Sequence, residues 1–174
     1  MSRKWLIILT MILAAAGLGW YVLSSFQAGT AVLKKEHDAA MAAAVDNKFL
    51  ATAEKATLFN GPNTDSKNKP VPFYAVHGKD ESGRPAAALM SAGDLNQEPV
   101  TVVLADGITE EKAAEISGKE HSPKKMFSVK LGVLLRAGRQ VPVWEVKYID
   151  SYDRYTYDYI DFKSGNILTH IAIK

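Results

Sequence analysis

Hydrophobic positions along the chain fall into three successive patterns: an unbroken apolar run, an alanine-rich stretch at helical spacing, and short alternating runs separated by turn residues. The first, Trp5 to Phe26, carries no charged side chain, and about 20 apolar residues are enough to cross a bilayer core as a helix. Residues 5–26 are therefore predicted to form a transmembrane helix that stays uncleaved as a single-pass anchor in membrane lipid. Arg3 and Lys4 precede it, and positive charge tends to stay on the cytoplasmic side. Residues 1–4 are accordingly placed in the cytoplasm and the C-terminal bulk outside. Arg3, Lys4 and Trp5 at one end, with Trp20 and Tyr21 near the other, are the expected membrane-interface anchors. A cleaved signal peptide is the rival reading. Ala14-Ala15-Ala16 offers a small-residue site, but signal apolar regions run about 7–15 residues and this one continues to Phe26.

The second pattern predicts a helix from Gly29 to about Ala56. Alanine favours it, and Val45, Phe49 and Ala53 would form one apolar stripe. Its front, with Lys34, Lys35, Glu36 and Asp38, reads as a solvated stalk over 27–38.

The third pattern predicts strands at Thr57–Phe59, Val71–His77, Pro85–Ala92 and Val100–Leu104. Asn60-Gly61-Pro62, the polar loop from Asn63, Lys79–Gly83 and Gly93–Glu98 punctuate them. After Asp106-Gly107 the order begins again. Thr109 is placed to cap a helix whose first turn holds Glu110 and Glu111, where the helix dipole favours carboxylates. Ala113, Ala114 and Ile116 give that helix a narrow apolar stripe up to Gly118. Met126–Arg136, Val141–Asp150, Tyr155–Phe162 and Ile167–Ile173 follow as strands. A helix and four strands, twice over, predict an α+β fold: two small helix-plus-antiparallel-sheet units at 39–106 and 107–174, behind the membrane helix.

The second unit resembles PepSY-type domains. The residues that carry the likeness are Ile108-Thr109-Glu110-Glu111-Lys112-Ala113-Ala114, Val143-Trp144-Glu145-Val146-Lys147-Tyr148, and Asp161-Phe162-Lys163-Ser164-Gly165-Asn166-Ile167-Leu168. The whole chain is similar to the TseB (YpmB) family of small bacterial envelope proteins, which join an N-terminal anchor to two cystatin-like or PepSY-like units. In that resemblance the first unit matches by layout more than by residue. It implies a regulator of cell-wall elongation in the bacterial cell membrane, acting by contact with a class B penicillin-binding protein. It brings no catalytic motif with it.

Charge and composition narrow the chemistry. The formal net charge is +2 at pH 7, and Arg3 and Lys4 account for all of it. The exported part is thus near neutrality and lacks the basic excess that a nucleic-acid partner would need. There is no cysteine, hence no disulfide and no thiolate chemistry. The histidines His37, His77, His121 and His170 lie in separate segments, none at metal-ligand spacing to another, and read as scattered surface or strand-end residues. Asp150, Asp153, Asp158 and Asp161 lack the oxygen-ligand spacing of an EF-hand loop and read as solvated strand ends. Asp161 is expected to organise the turn Lys163–Asn166. No P-loop, nucleophile elbow or dinucleotide fingerprint is present. The expectation is a protein that is not an enzyme and needs no cofactor.

The densest local feature is aromatic. Of the seven tyrosines, Tyr148, Tyr152, Tyr155, Tyr157 and Tyr159 crowd one hairpin. Alternation sends Tyr155, Tyr157 and Tyr159 to one strand face and Thr156, Asp158, Ile160 and Phe162 to the other. With Trp144, Val146 and Tyr148 in the core and Glu145 and Lys147 facing water, the three tyrosines become an exposed ladder. Tyr152, Tyr155, Tyr157 and Tyr159 are then the candidate partner-binding residues, against the alternative that they pack a half-buried face or the seam between units. A modulator of an extracellular protease and a structural spacer are the other functional readings.

Overall fold

The computed structural model describes residues 18, 20, 21, 29–64 and 67–173. The transmembrane helix expected over 5–26 lies outside the described residues, as do Arg3, Lys4 and Trp5; only Leu18, Trp20 and Tyr21 of that stretch are described, helical and exposed. Among the described residues no helix is long and apolar enough to cross a membrane. The chain divides into two units, Met1–Glu36 and His37–Lys174.

The first helix, α1, covers 29–46 and ends well before Ala56. Lys48 takes a left-handed backbone conformation (φ 60°). The N–H groups of Phe49 and Leu50 turn back to the Ala44 carbonyl at 2.9 and 3.0 Å, closing the helix end. Residues that favour helix by propensity, Ala53 to Ala56 among them, are instead drawn into β1 (Thr52–Phe59) by pairing with β2 (Phe73–Lys79). Tertiary pairing outweighs a few tenths of a kcal/mol of propensity per residue. The stripe expected at Val45, Phe49 and Ala53 does not form; Ala40, Ala44 and Leu50 are buried instead.

β3 (Pro85–Ser91) and β4 (Val100–Val103) complete an antiparallel sheet in the order β1-β2-β3-β4. A 3-10 turn, Leu104–Asp106, leads to α2 (Glu110–His121). The Lys112 N–H bonds to the Thr109 hydroxyl at 3.2 Å, the expected cap. The helix runs through Gly118 and stops at Ser122, whose left-handed backbone (φ 44°) lets its N–H reach the Gly118 carbonyl. The second sheet, β5 (Lys125–Arg136), β6 (Arg139–Ile149), β7 (Tyr155–Asp161) and β8 (Ile167–Ile173), repeats the same antiparallel order. The fold is α+β, with two antiparallel four-stranded sheets and, among the described residues, two helices.

The repeat has residue identity as well as layout. Asp80 accepts bonds from the Ser82 N–H, the Arg84 N–H and Arg84 Nε at 2.9, 2.9 and 2.8 Å. Asp150 accepts from the Tyr152 N–H, the Arg154 N–H and Arg154 Nε at 2.9, 3.0 and 2.8 Å. Each turn joins the second and third strands of its sheet, and each carries a left-handed residue before the arginine, Gly83 or Asp153. At Asp150 burial pushes the carboxyl up, but the Arg154 and Tyr152 bonds win and hold it at about 2.

Both faces of the first sheet are covered. Tyr74, Val76, Ala86, Ala88 and Met90 pack with Ala40 and Ala44 of α1. Phe59, Phe73, Ala75, Ala87 and Leu89 join the core shared with the second sheet. The continuous apolar run of β3 records this double burial, because a strand wet on one side would alternate. Phe59 lies flat on Gly132, where a Cβ would come within 2.2 Å of its ring. Asn63 ties the sheets again. Its amide donates to the Val133 carbonyl at 2.5 Å and accepts from the Leu135 N–H at 2.8 Å.

Candidate functional site

Trp144, Val146, Tyr148, Ile160 and Phe162 are buried, as the alternation predicts. The Trp144 indole donates to the Ile108 carbonyl at 2.9 Å, fixing the entry of α2 on that face. Tyr155, Tyr157 and Tyr159 share the opposite face, opposed to Ile149, Lys147 and Glu145 of β6. They do not form an exposed ladder. Tyr155 is 51% exposed, Tyr157 is half-buried and Tyr159 is 3% exposed.

The first sheet is the cause. Phe59 meets Tyr159 edge to face, with ring centroids 6.4 Å apart. Glu145, expected to face water, is 7% exposed and accepts the Tyr159 hydroxyl proton at 2.9 Å. Burial pushes the Glu145 carboxyl up, against the Tyr159 bond and the Lys130 and Lys147 charges. Burial and the Glu145 charge also push the Tyr159 phenol up, so it remains a donor. Tyr159 belongs to the seam between sheets, not to a binding surface.

Toward the start of β7 that cover ends. Phe127 stacks on Tyr155 at 5.8 Å and 23°, and Phe127, Tyr155 and its cross-strand neighbour Ile173 are exposed. The Lys147 ammonium lies 5.4 Å from the Tyr155 ring centre and 5.3 Å from that of Tyr157. Lys125 lies 5.0 Å from Phe127. Tyr152, in the β6–β7 turn, is fully open beside the Arg154 guanidinium. The result is a patch of aromatic faces edged by cations, which hold the rings upright for about 0.5–1 kcal/mol each. Sequence reasoning missed Phe127 because it sits at a register shift between Met126 and Ser128, where alternation stops predicting facing.

The histidines are less scattered than the sequence suggests. Asp158 of β7 pairs across the hairpin with His170 of β8, and His121 ends α2 above them. His170 Nδ1 is 2.7 Å and His121 Nε2 3.6 Å from Asp158 Oδ1. Far from being a solvated strand end, Asp158 is 0% exposed. Its Oδ2 and the buried Tyr148 hydroxyl have no hydrogen-bond partner among the described residues. Burial and the Asp158 charge push the Tyr148 phenol up, so the two groups sense each other without a well-formed bond. Asp161 does organise its turn, accepting from the Lys163 and Ser164 N–H groups at 3.1 and 2.6 Å.

A groove of ≈ 520 Å³ is lined by Glu54, Lys55, His77, Glu110, Lys130 and Trp144, among others. Burial and Lys55 lower the His77 pKa. Among the described residues no hydrogen bond or ion pair joins His77 to Glu54 or Glu110, so the groove assembles no acid–base pair.

No protein-family model matches the chain. Over 172 residues, 98% of this chain and 99% of the relative, it is 32% identical to the probable cell wall elongation regulator TseB of Bacillus subtilis (strain 168). The chain belongs to the TseB (YpmB) family. A solved structure, the YpmB protein from Bacillus subtilis, superposes with a TM-score of 0.64 at 31% identity, covering 79% of this chain and 97% of that one. For this TseB-family chain the aromatic patch and the His121–Asp158–His170 cluster both lie in the second sheet and its helix.

Proposed function

We propose that this chain is a non-catalytic, membrane-anchored regulator of cell-wall elongation, and that it works by binding a class B penicillin-binding protein through the exposed aromatic patch. It would be held in the bacterial cell membrane by the apolar segment 5–26, with its N-terminus cytoplasmic and the sheets outside. The observation that carries the reading is the patch itself: Phe127, Tyr155 and Ile173 remain exposed on a face whose other end is closed by the first sheet. Aromatic side chains with cationic neighbours are the composition of interface centres rather than of ordinary surface. The name of the relative TseB, a probable cell wall elongation regulator, supplies the process.

Confinement of both partners to one membrane raises their effective concentration, so a small patch suffices. The anchor is thereby part of the mechanism. Releasing the exported part as a soluble fragment is expected to abolish most of its effect in cells. The protease-modulator reading has weaker support. The turn from Lys79 to Gly83 closes on itself through the Asp80–Arg84 pair and presents no extended strand to a cleft. Tyr157→Ala separates packing from binding: loss of partner capture with unchanged melting supports the interface, and a large fall in melting temperature assigns Tyr157 to packing.

A further inference from the structure

The geometry points to a binding site for a borderline divalent cation, zinc in the first place, formed by His121, Asp158 and His170. The inference is independent of the partner proposed above. Three elements deliver the ligands: the last residue of α2, the middle of β7, and its cross-strand partner on β8. One ligand atom from each residue lies within 4.8 Å of the other two. Tetrahedral zinc holds imidazole nitrogen and carboxylate oxygen at about 2.0–2.2 Å, which places neighbouring ligand atoms roughly 3.3–3.6 Å apart. The His121–Asp158 separation of 3.6 Å already fits. The His170–Asp158 contact of 2.7 Å is a hydrogen bond and must open by under about 1 Å, within the reach of a side-chain torsion.

Two further observations speak for a cation. The Asp158 carboxylate is wholly buried, yet one oxygen has no partner among the described residues. A buried carboxylate needs a compensating positive charge, and a cation held between it and the two imidazoles would supply one, leaving Oδ2 to the neighbouring Tyr148 hydroxyl. The His121 ring is also held in place, stacked with Tyr148 at 6.2 Å and 19° and 4.5 Å from the His170 ring. Two imidazoles with one carboxylate suit zinc, nickel, cobalt or copper and disfavour magnesium and calcium, which take oxygen ligands. His170 is partly exposed, which leaves room for water or a donor from a partner protein at the fourth position. A bound ion would clamp the end of α2 onto the β7–β8 hairpin.

The test uses the purified full-length chain, stripped with a chelator and titrated with Zn²⁺ by calorimetry and with Co²⁺ by visible absorption. One ion per chain is expected, with a tetrahedral-type cobalt spectrum and a raised melting temperature. His121→Ala and His170→Ala are each expected to weaken binding more than about tenfold, since even an outer-shell partner is worth about 10–100-fold. His77→Ala should bind normally. Asp158→Asn is less useful because a buried substitution can cost the fold. The two histidine variants are partly exposed, and their metal-free melting curves report folding directly. Unchanged zinc affinity in both histidine variants, no binding at micromolar zinc, or equal binding of Mg²⁺ would overturn the assignment.

Discussion

Tyr159→Phe tests the finding that the tyrosine face is closed at one end by the first sheet. The substitution removes one oxygen and leaves the ring against Phe59. What it takes away is the hydroxyl bond to Glu145, the one hydrogen bond that carboxylate makes among the described residues. Bonds to charged groups contribute about 1.5–3 kcal/mol, and a buried acceptor left empty costs a comparable amount. At this chain length each kcal/mol moves the thermal midpoint by about 2–4 °C, so a fall of roughly 3–12 °C is expected at pH 7. The pH dependence gives a second handle. Glu145's folded pKa lies above its ordinary value, so its charge costs stability as the pH rises from the ordinary value through the raised one. Without the Tyr159 hydroxyl that cost grows. The gap between variant and parent should therefore narrow as the pH falls and the carboxyl is neutralised. Adding Glu145→Gln should recover much of the loss at pH 7, because a neutral amide buried there costs less than an unpaired charge. Urea midpoints with an unchanged slope would report the values. A Tyr159→Phe variant within about 0.5 kcal/mol of the parent at pH 7 would mean that water, not Glu145, receives that hydroxyl.

Three other outcomes follow from the same geometry. Gly132→Ala places a methyl inside the Phe59 ring contact and should cost about 1–3 kcal/mol by overpacking, read by urea denaturation; a neutral result would show that Phe59 is not seated there. Asp150 is held at about 2, so the stability it contributes is complete above its ordinary value of 3.8 and fades as the pH falls from 3.8 through about 2. Arg154→Ala should flatten that acid limb of the stability curve, and an unchanged limb would assign it to other carboxylates. Phe127→Ala and Tyr155→Ala each lose the ring stacking and one cation–ring contact, so each should cost about 1–2 kcal/mol at most while reducing partner capture. Melting losses well beyond that would make them packing residues.

Much of this fold is legible in the sequence because turn chemistry and alternation agree. Ile167–Ile173, between the Lys163–Asn166 turn and the chain end, is β8 with the expected bounds. The errors sit where one local signal had two tertiary outcomes. Alanine, glutamate and lysine after Asp46 favour helix, and only pairing with β2 makes Thr52–Ala56 a strand. Glu145 reads as a wet position if its sheet is covered on one side. The continuous apolar run Ala86–Met90 in the other sheet was the available sign that sheets pack face to face. The His121–Asp158–His170 cluster was hidden because its members lie far apart in sequence. Asp158 stands five residues before the Lys163–Asn166 turn and His170 four after it, so even alternation misplaces them by one; the register shift between Tyr159 and Ile160 brings the two opposite each other. His121 joins them because α2 runs past Gly118 to its left-handed stop at Ser122.

The most direct test of the proposed role replaces Tyr155 with a photo-crosslinking amino acid in the full-length chain and irradiates intact cells. Capture of a class B penicillin-binding protein from position 155, and from position 127 in a second variant, is the predicted result. A crosslinked extracellular protease, or no adduct from either position while the protein is present in the envelope, would contradict it.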